Sequence, residues 1–283
     1  MKQTVSIIGA PTDIGAGSRG ASMGPEALRV AQLIPVLRNQ GLEVLDRGNL
    51  SGPTNPWLPP VDGYRHLPEV TAWNTAVHNA VHAELALGHL PILLGGDHCL
   101  GLGSISAVAR HCRESGKKLR ILWLDAHADF NTNVLTPSGN IHGMPVACLC
   151  GHGPRELIEI GGHVPAINPK WIRQIGIRSV DEGEKRFVHE IGLEVFGEGS
   201  APEADAEIAA LAWRAAVAGG RKDLRLVFGD GRLGVPQAAQ DVRVTEGEIA
   251  PDAFAYAAGR VSIFAPIAPG LKQVAFSYKL PAA

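Results

Sequence analysis

Trp123-Leu124-Asp125-Ala126-His127-Ala128-Asp129-Phe130-Asn131 is the stretch around which the rest of the sequence is organised. A mainly apolar segment, residues 119–124, precedes it and has the length and composition of a buried β-strand. Asp125, His127 and Asp129 follow at alternate positions, and alternate side chains of an extended chain lie on one face. The stretch therefore predicts three metal ligands presented together at the end of a buried strand.

A second apolar strand, residues 90–94, ends in Gly95-Gly96-Asp97-His98-Cys99. The glycine pair permits a sharp turn, so His98 is presented at the end of that strand. If the two strands are parallel neighbours, His98 lies beside Asp125 and Asp129. Carboxylate and imidazole ligands without thiolate favour Mn²⁺ or a similar divalent ion. The alternative is a solvated surface loop, but ligands that follow two separate buried strands favour a metal site.

The surrounding sequence alternates strands with helices. Strands are predicted at residues 5–8, 42–45 and 172–177, besides the two already described. Helices are predicted from Pro25 onward with a kink or break at Pro35, and then over residues 68–87, 102–112 and 182–189. This alternation predicts an α/β fold with a mainly parallel sheet, helices on both faces and ligands at the carboxyl ends of the strands.

Several polar features have two interpretations. His78 and His82 are spaced for a zinc pair, but no acidic third ligand is near, and a polar helix face is favoured. The glycine-rich residues 12–24 lack the spacing of a phosphate loop, which favours a flexible loop over a site. Asp181 follows a strand end, so it either faces the same crevice as Asp125 or caps the next helix.

Composition excludes several classes of protein. The chain has 283 residues, 45% of them hydrophobic, and a formal net charge of −2, so a large core is available and no polyanionic partner is indicated. No basic run suggests nucleic-acid binding, and no apolar run is long enough for a membrane span or a signal peptide. The four cysteines lack zinc-type spacing. These features predict a cytoplasmic enzyme with reduced thiols.

The segment after Asn131 is a polar loop, residues 132–143, which offers hydroxyl, amide and imidazole groups. Such groups suit an amino acid with a carboxylate and an ammonium group. The loop therefore predicts a small polar substrate beside the metal site.

Together these motifs resemble the ureohydrolase family, and arginases most closely. The resemblance covers roughly the first 190 residues, in the right order. It rests on Ser6–Pro11, Gly24-Pro25, Gly95–His98, Asp125–Asp129, Ser138–Gly143, Gly176–Arg178 and Val180-Asp181. It implies a single three-layer α/β/α domain over residues 1–283, divergent from about residue 197, and a two-manganese centre that hydrolyses guanidinium groups to urea.

The resemblance also implies roles for individual residues. The implied metal ligands are His98, Asp125, His127 and Asp129, with Asp125 bridging two ions. His142 is similar to the family's proton-transferring or substrate-contacting histidine. Asn131, Ser138 and Asn140 are similar to the contacts with the substrate's α-carboxylate, and Asp181 to the contact with its α-ammonium. These contacts favour L-arginine over agmatine, which lacks the carboxylate.

The last third of the chain departs from the family pattern. The family carries a late strand that ends in Asp-x-Asp-x-x-Asp-Pro, whose leading aspartates bind metal, and this sequence contains no such run. The strand that ought to bear it is predicted at residues 224–228, after a helix over about 204–218. Asp230 follows that strand, but a one-residue slip directs a side chain to the opposite face. We therefore expect the second ion to bind weakly or not at all.

Three functional hypotheses follow from the resemblance. The first is an arginase-type manganese hydrolase that converts L-arginine and water to L-ornithine and urea, with His142 and Asp129 as catalytic residues. The second is a catalytically impaired relative, because the second metal motif is missing. The third is a ureohydrolase for another guanidino substrate such as agmatine. By resemblance the protein is expected to be a homo-oligomer.

Overall fold

The computed structural model describes residues 4–191, 195–197, 240–247, 254–257, 260–263 and 274–279. The chain divides into two compact units, Met1–Val195 and Phe196–Ala283. Whether the whole chain acts as the single domain predicted from the sequence stays a prediction. The predicted strand at residues 224–228, the helix before it and Asp230 lie outside the described residues.

Strands and helices alternate in the first unit, as the sequence predicts. Their order is β1 (Thr4–Ala10), α1 (Gly24–Val30), α2 (Leu33–Asn39), β2 (Glu43–Asn49), α3 (Leu67–Ala86), β3 (Leu90–Gly95), α4 (Gly101–Glu114), β4 (Ile121–Leu124), α5 (Pro145–Leu149), α6 (Arg155–Ile158), β5 (Ile172–Ile177) and α7 (Glu182–Glu190). A short strand, β6 (Val195–Gly197), follows.

Four more strands are described in the second unit: β7 (Gln240–Gly247), β8 (Phe254–Ala257), β9 (Arg260–Ile263) and β10 (Val274–Lys279). They form two antiparallel pairs, β7 with β10 and β8 with β9.

The strands of the first unit pair in parallel, which confirms the predicted sheet type. β1 lies between β2 and β3, and β4 pairs with β5. The expectation that the strands before His98 and Asp125 are paired neighbours is wrong, because β3 pairs with β1 and β4 with β5 in the part of the chain described. An apolar segment indicates a strand but does not identify the strand it pairs with. The prediction that β4 is a buried strand holds for one face only, because Ile121 and Trp123 are buried whereas Leu122 is 44% and Leu124 66% exposed.

Prolines set the helix boundaries near the N-terminus. Pro25 occupies the first turn of α1, where a missing N–H costs nothing. Pro35 lies in the first turn of α2, so the predicted helix is split in two, with Gln32 in a left-handed conformation between the halves. The predicted break is confirmed.

The longest helix, α3, packs closely on α4. Val70, Trp73 and Val77 form its buried face, which confirms the helical spacing seen in the sequence. A Cβ on Gly103 of α4 would overlap the backbone of Asn74, so only glycine permits this approach. The Gly103 N–H also donates to Asn74 Oδ1 at 2.8 Å, which satisfies a buried amide side chain.

His78 lies between these helices rather than on a polar face. It is 2% exposed, which corrects the expectation of an exposed polar pair with His82. The two rings are stacked with centroids 6.0 Å apart, and His82 Nε2 lies 2.8 Å from Glu114 Oε2. Burial, together with the nearby charge of Arg110, lowers the pKa of His78. Burial penalises the charged imidazolium, so the neutral imidazole is favoured.

Two apolar clusters support the loops that follow β3 and β4. One is built from β1, α3 and α4 and includes Leu100 and Ile141. The other is built around β4, β5 and α5 and includes Phe130, which is fully buried directly after Asp129. Residues on both sides of the candidate site are therefore anchored in the core. No helix in the described part of the chain is long and apolar enough to cross a membrane.

Candidate metal centre and its pocket

The ends of β3 and β4 bring three of the four predicted metal ligands together. His98 Nδ1 lies 2.7 Å from Asp129 Oδ2 and 3.3 Å from Asp125 Oδ2. One ligand atom from each of these three residues lies within 4.8 Å of the other two. His98 is half-exposed and Asp129 is buried, and both residues line the same cavity. The predicted cluster forms although β3 and β4 do not pair with each other among the described strands.

The residues present fit a divalent ion. Asp129 Oδ2 is buried and, among the described residues, has no hydrogen bond of acceptable geometry despite its short distance to His98. Ligand atoms about 2.0–2.2 Å from an ion lie about 3.0–3.4 Å from each other, close to the 3.3 Å between His98 and Asp125. The two carboxylates and one imidazole form a hard and borderline donor set without sulfur. An ion among these three residues would satisfy the buried oxygen.

His127 lies beside this group. Its Nδ1 is 3.3 Å from Asp125 Oδ1, and its backbone N–H donates to the same oxygen at 2.9 Å. Its side chain is largely exposed and does not join the three-residue cluster. Asp125 thus has one oxygen toward His98 and the other toward His127, which is the arrangement of a bridging carboxylate.

The charges of the cluster act on His98. Burial alone would lower the pKa of His98, but its contact with Asp129 and the charges of Asp125 and Asp97 raise it above the usual value. The cluster therefore attracts positive charge strongly. A divalent ion would compete with the proton for the same imidazole nitrogen.

The loop that carries Asp129 is held from several directions. Asp129 adopts a left-handed backbone conformation with φ of 50°, which non-glycine residues adopt infrequently. Its carbonyl accepts from Val146 N at 3.0 Å, at the start of α5. The Gln174 amide on β5 donates to Ala128 O, and Glu184 Oε1 accepts from Phe130 N at 2.7 Å. These contacts keep the Asp129 carboxylate directed toward His98.

Most of the predicted site residues line one cavity of about 370 Å³. This volume is within the range of about 300–1,000 Å³ typical of small-molecule sites. The cavity brings the metal-ligand candidates and the predicted substrate contacts together. Its predicted members are His98, His127, Asp129, Asn131, Ser138, Asn140, His142 and Asp181.

His142 lies on the wall of this cavity next to Asp97. Its Nδ1 is 3.6 Å from Asp97 Oδ2, and its backbone N–H donates to Gly15 O at 3.4 Å. The contact with the buried Asp97 carboxylate raises the pKa of His142, although burial opposes the shift. Asp97 itself is fixed by accepting from Cys99 N at 3.0 Å. The contact with Asp97 orients the His142 ring and favours its protonated form, which suits a residue that transfers a proton.

Asp181 occupies the N-cap position of α7, but its side chain takes only one of the two roles considered from the sequence. It is the residue before the first turn of α7, but its side chain makes no capping hydrogen bond. Its Oδ2 instead accepts from Asn131 Nδ2 at 3.4 Å, at the edge of the cavity. The carboxylate therefore faces the crevice rather than its own helix.

Glu184 and Thr136 also line the cavity and were missed from the sequence. Glu184 is buried, and burial raises its pKa, while hydrogen bonds from the backbone of Phe130 and Asp181 oppose the shift. A sequence signal for Glu184 exists, because Asp-x-x-Glu at residues 181–184 is a capping-box spacing in which the glutamate reaches back to the first backbone N–H. No comparable signal marks Thr136.

The glycine-rich segment before α1 is tethered over the site. Asp97 N donates to Thr12 O at 2.8 Å, and Asn55 Nδ2 donates to Asp13 O at 2.9 Å. A Cβ on Gly15 would overlap Asp97 Oδ1. The segment contacts residues beside the site, and Gly15 is required by its close approach to the Asp97 carboxylate; that it is a flexible loop over the site stays a prediction.

The model of the arginase family matches residues 3–222 of this sequence.

The chain belongs to the arginase family.

An arginase of Brevibacillus brevis is 39% identical over 196 residues, which cover 69% of this chain and 64% of the relative. The chain thus spans less than two thirds of the length of that relative. Among solved structures, arginase from Bacillus caldovelox has a TM-score of 0.68 at 36% identity and covers 79% of this chain and 73% of its own. Entamoeba histolytica arginase in complex with L-ornithine has a TM-score of 0.67 at 32% identity, with coverage of 77% and 74%.

These similarities confirm the family recognised from the first two-thirds of the sequence and the arginase-like α/β fold. The match ends at residue 222, before the position where the second aspartate motif was sought. The matched part of the chain therefore shares its fold and its motifs with the arginases.

Proposed function

We propose that the protein is a manganese-dependent hydrolase that converts L-arginine and water to L-ornithine and urea. The observation that carries the proposal is the convergence of His98, Asp125 and Asp129 in the cavity region that Ser138 and Asn140 also line. The family membership supports the reaction type, and the E. histolytica relative was solved with L-ornithine.

In this proposal His98, Asp125 and Asp129 hold the first ion, and Asp125 with His127 contributes to a second. Divalent ions, when bound, lower the pKa of a coordinated water so that hydroxide is available near neutral pH. Asp129 lines the cavity and its buried Oδ2 has no hydrogen bond among the described residues, so it would also accept a hydrogen bond from the attacking water. The oxygen of the attacking water would bond to the guanidinium carbon, and the bond from that carbon to the substrate's side-chain nitrogen would break to give urea and ornithine.

His142 supplies the proton that the departing amine needs. Its raised pKa keeps the imidazolium populated closer to neutral pH, and Asp97 holds the ring in place. The proton passes from His142 to the δ-nitrogen of ornithine as urea forms, and the water consumed in the reaction restores it.

The substrate's α-carbon lies at the other end of the cavity. Asn131, Ser138 and Asn140 donate to the α-carboxylate, and Asp181 accepts from the α-ammonium. The distance between the metal cluster and these groups is spanned by the arginine side chain. Agmatine, which lacks the carboxylate, is the weaker substrate in this proposal.

The second ion is held weakly. The described residues offer Asp125 and His127 for it, and an ion with few anionic ligands leaves its charge uncompensated at a cost of several kcal/mol. The missing Asp-x-Asp-x-x-Asp-Pro run also supports a second candidate, an impaired arginase relative that binds the amino acid without turning it over.

We further propose a cytoplasmic homo-oligomer with reduced thiols. All four cysteines are free, and three of them are buried, which supports a reducing environment. Size-exclusion chromatography with light scattering gives the oligomeric state, and a monomer at all concentrations would contradict it.

The function is tested by measuring urea from L-arginine and from agmatine with Mn²⁺ added. We expect urea from L-arginine at the higher rate and no activity in Asp129→Asn. Glu159→Gln, which changes an exposed carboxylate paired with Arg155, is the matched control. Binding of L-arginine by calorimetry without urea release would support the impaired relative, and neither binding nor urea would refute both candidates.

A further inference from the structure

Arg65 holds the loop that faces the proposed α-carboxylate. It lies just before α3 and is remote in sequence from that loop, residues 136–143. Its Nε donates to Asn140 Oδ1 at 2.8 Å, and its Nη2 donates to Ser138 O at 3.4 Å. Its backbone N–H donates to Gly139 O at 2.8 Å. One residue therefore contacts three successive positions of the loop.

The guanidinium is itself fixed on its other side. Arg65 Nη1 donates to Leu58 O at 2.8 Å. Gly139 has φ of 71°, and a Cβ there would press against Pro60, so the loop is packed closely on the same segment. A Cβ added at Gly17 would come into ordinary van der Waals contact with both Arg65 and Asn140, so this segment also lies close to the pair. The arginine is thus held between the segment 58–60 and the loop it contacts.

This contact determines which way the Asn140 amide faces. A guanidinium has donors but no acceptor, so only the amide oxygen of Asn140 can face it. The amide nitrogen is then on the other side of the group, and Asn140 lines the cavity. The hydrogen bonds found among the described residues include none donated by this nitrogen, which leaves it free for a ligand.

We propose that Arg65 is a specificity-determining positioning residue: by fixing the Asn140 amide, it presents an N–H donor to the ligand's α-carboxylate. This inference rests on the proposed function and names the group that selects an α-amino acid over its decarboxylated analogue. Without Arg65 the Asn140 amide can rotate, and in part of the population its oxygen, rather than its N–H, faces the ligand's carboxylate. The loss of binding affinity is therefore confined to ligands that carry a carboxylate.

The test compares binding of L-ornithine and putrescine to the Mn²⁺-loaded full chain by calorimetry. We expect Arg65→Ala to weaken L-ornithine by about tenfold, which corresponds to one hydrogen bond to a charged group, and to change putrescine by less than about twofold. Arg65→Lys keeps the charge but not the fork of donors, and we expect it to behave like the alanine variant. Arg155→Ala, in an exposed ion pair on α6, is the matched control.

Asn140→Asp supplies an independent check, because it keeps an acceptor for Arg65 and removes the N–H donor. We expect it to weaken L-ornithine at least as much as Arg65→Ala. Equal losses for both ligands in the Arg65 variants, or unchanged L-ornithine binding in Asn140→Asp, would overturn the inference. If the wild-type chain releases urea from a guanidino substrate but binds L-ornithine and putrescine equally, this inference fails and the proposed function does not. Failure to bind either ligand or to release urea would overturn the proposed function as well.

Discussion

Replacing Glu184 tests how the loop of the metal centre is held. The buried carboxylate accepts from Phe130 N at 2.7 Å and from the backbone of Asp181. Glu184→Ala leaves a buried N–H unpaired, at about 1–3 kcal/mol, and removes the cap of α7, at about 1 kcal/mol. We therefore expect the free energy of unfolding to fall by about 2–4 kcal/mol. Glu184→Gln keeps an acceptor, so we expect it to lose less than about 1 kcal/mol.

The assay is unfolding in urea in the absence of metal, monitored by tryptophan fluorescence. Glu182→Ala is the matched control, because it removes a neighbouring carboxylate that is exposed and only 3.9 Å from Lys185. We expect that control to lose less than about 1 kcal/mol. Weaker Mn²⁺ binding in Glu184→Ala, measured by calorimetry, is expected as well, since Asp129 loses support for its left-handed conformation. Equal stability of Glu184→Ala and Glu182→Ala would refute the reasoning.

Two further predictions concern titration and thiol reactivity. Since burial lowers the pKa of His78, the folded state binds fewer protons there than the unfolded state does; this contribution to stability is therefore present above pH about 6.5 and lost as pH falls below it. His78→Leu is expected to flatten the dependence of the urea midpoint on pH between 7 and 5, and an unchanged slope would contradict this. Burial raises the pKa of Cys148 and of Cys150 to about 12 and that of Cys99 well above its usual value, so a thiol reagent at pH 8 is expected to modify only Cys112 in the native protein. Mass spectrometry locates the modified thiols, and rapid modification of any cysteine besides Cys112 before unfolding would contradict this prediction.

Local patterns were sufficient to predict several strands and helices of the first unit. The strand predicted at residues 172–177 has those bounds in the structure, and Pro35 divides its helix as expected. The alternation after β4 predicted that Asp125 and Asp129 lie together, but His127 does not join their cluster and Asp129 has a left-handed backbone, so extended-chain spacing explains the site only in part.

Contacts between distant residues could not be predicted in the same way. The pairing of β3 with β1 and of β4 with β5 depends on tertiary packing, which the apolar segments do not encode. Arg65 and Asn140 are 75 residues apart, and nothing in the local sequence of either indicates their hydrogen bond. The burial of His78 was missed for a similar reason, because its cover comes from α4 and not from neighbours in the sequence.

The most direct test of the metal centre is the number of Mn²⁺ ions held per chain after dialysis, measured by atomic absorption alongside His98→Ala and Asp129→Asn. Three converging ligands and an incomplete second set predict one tightly held ion in the wild type, and none in either variant. Two tightly held ions would contradict the weak second site. No retained ion in the wild type, or full retention in both variants, would contradict the central claim that His98, Asp125 and Asp129 bind a divalent metal.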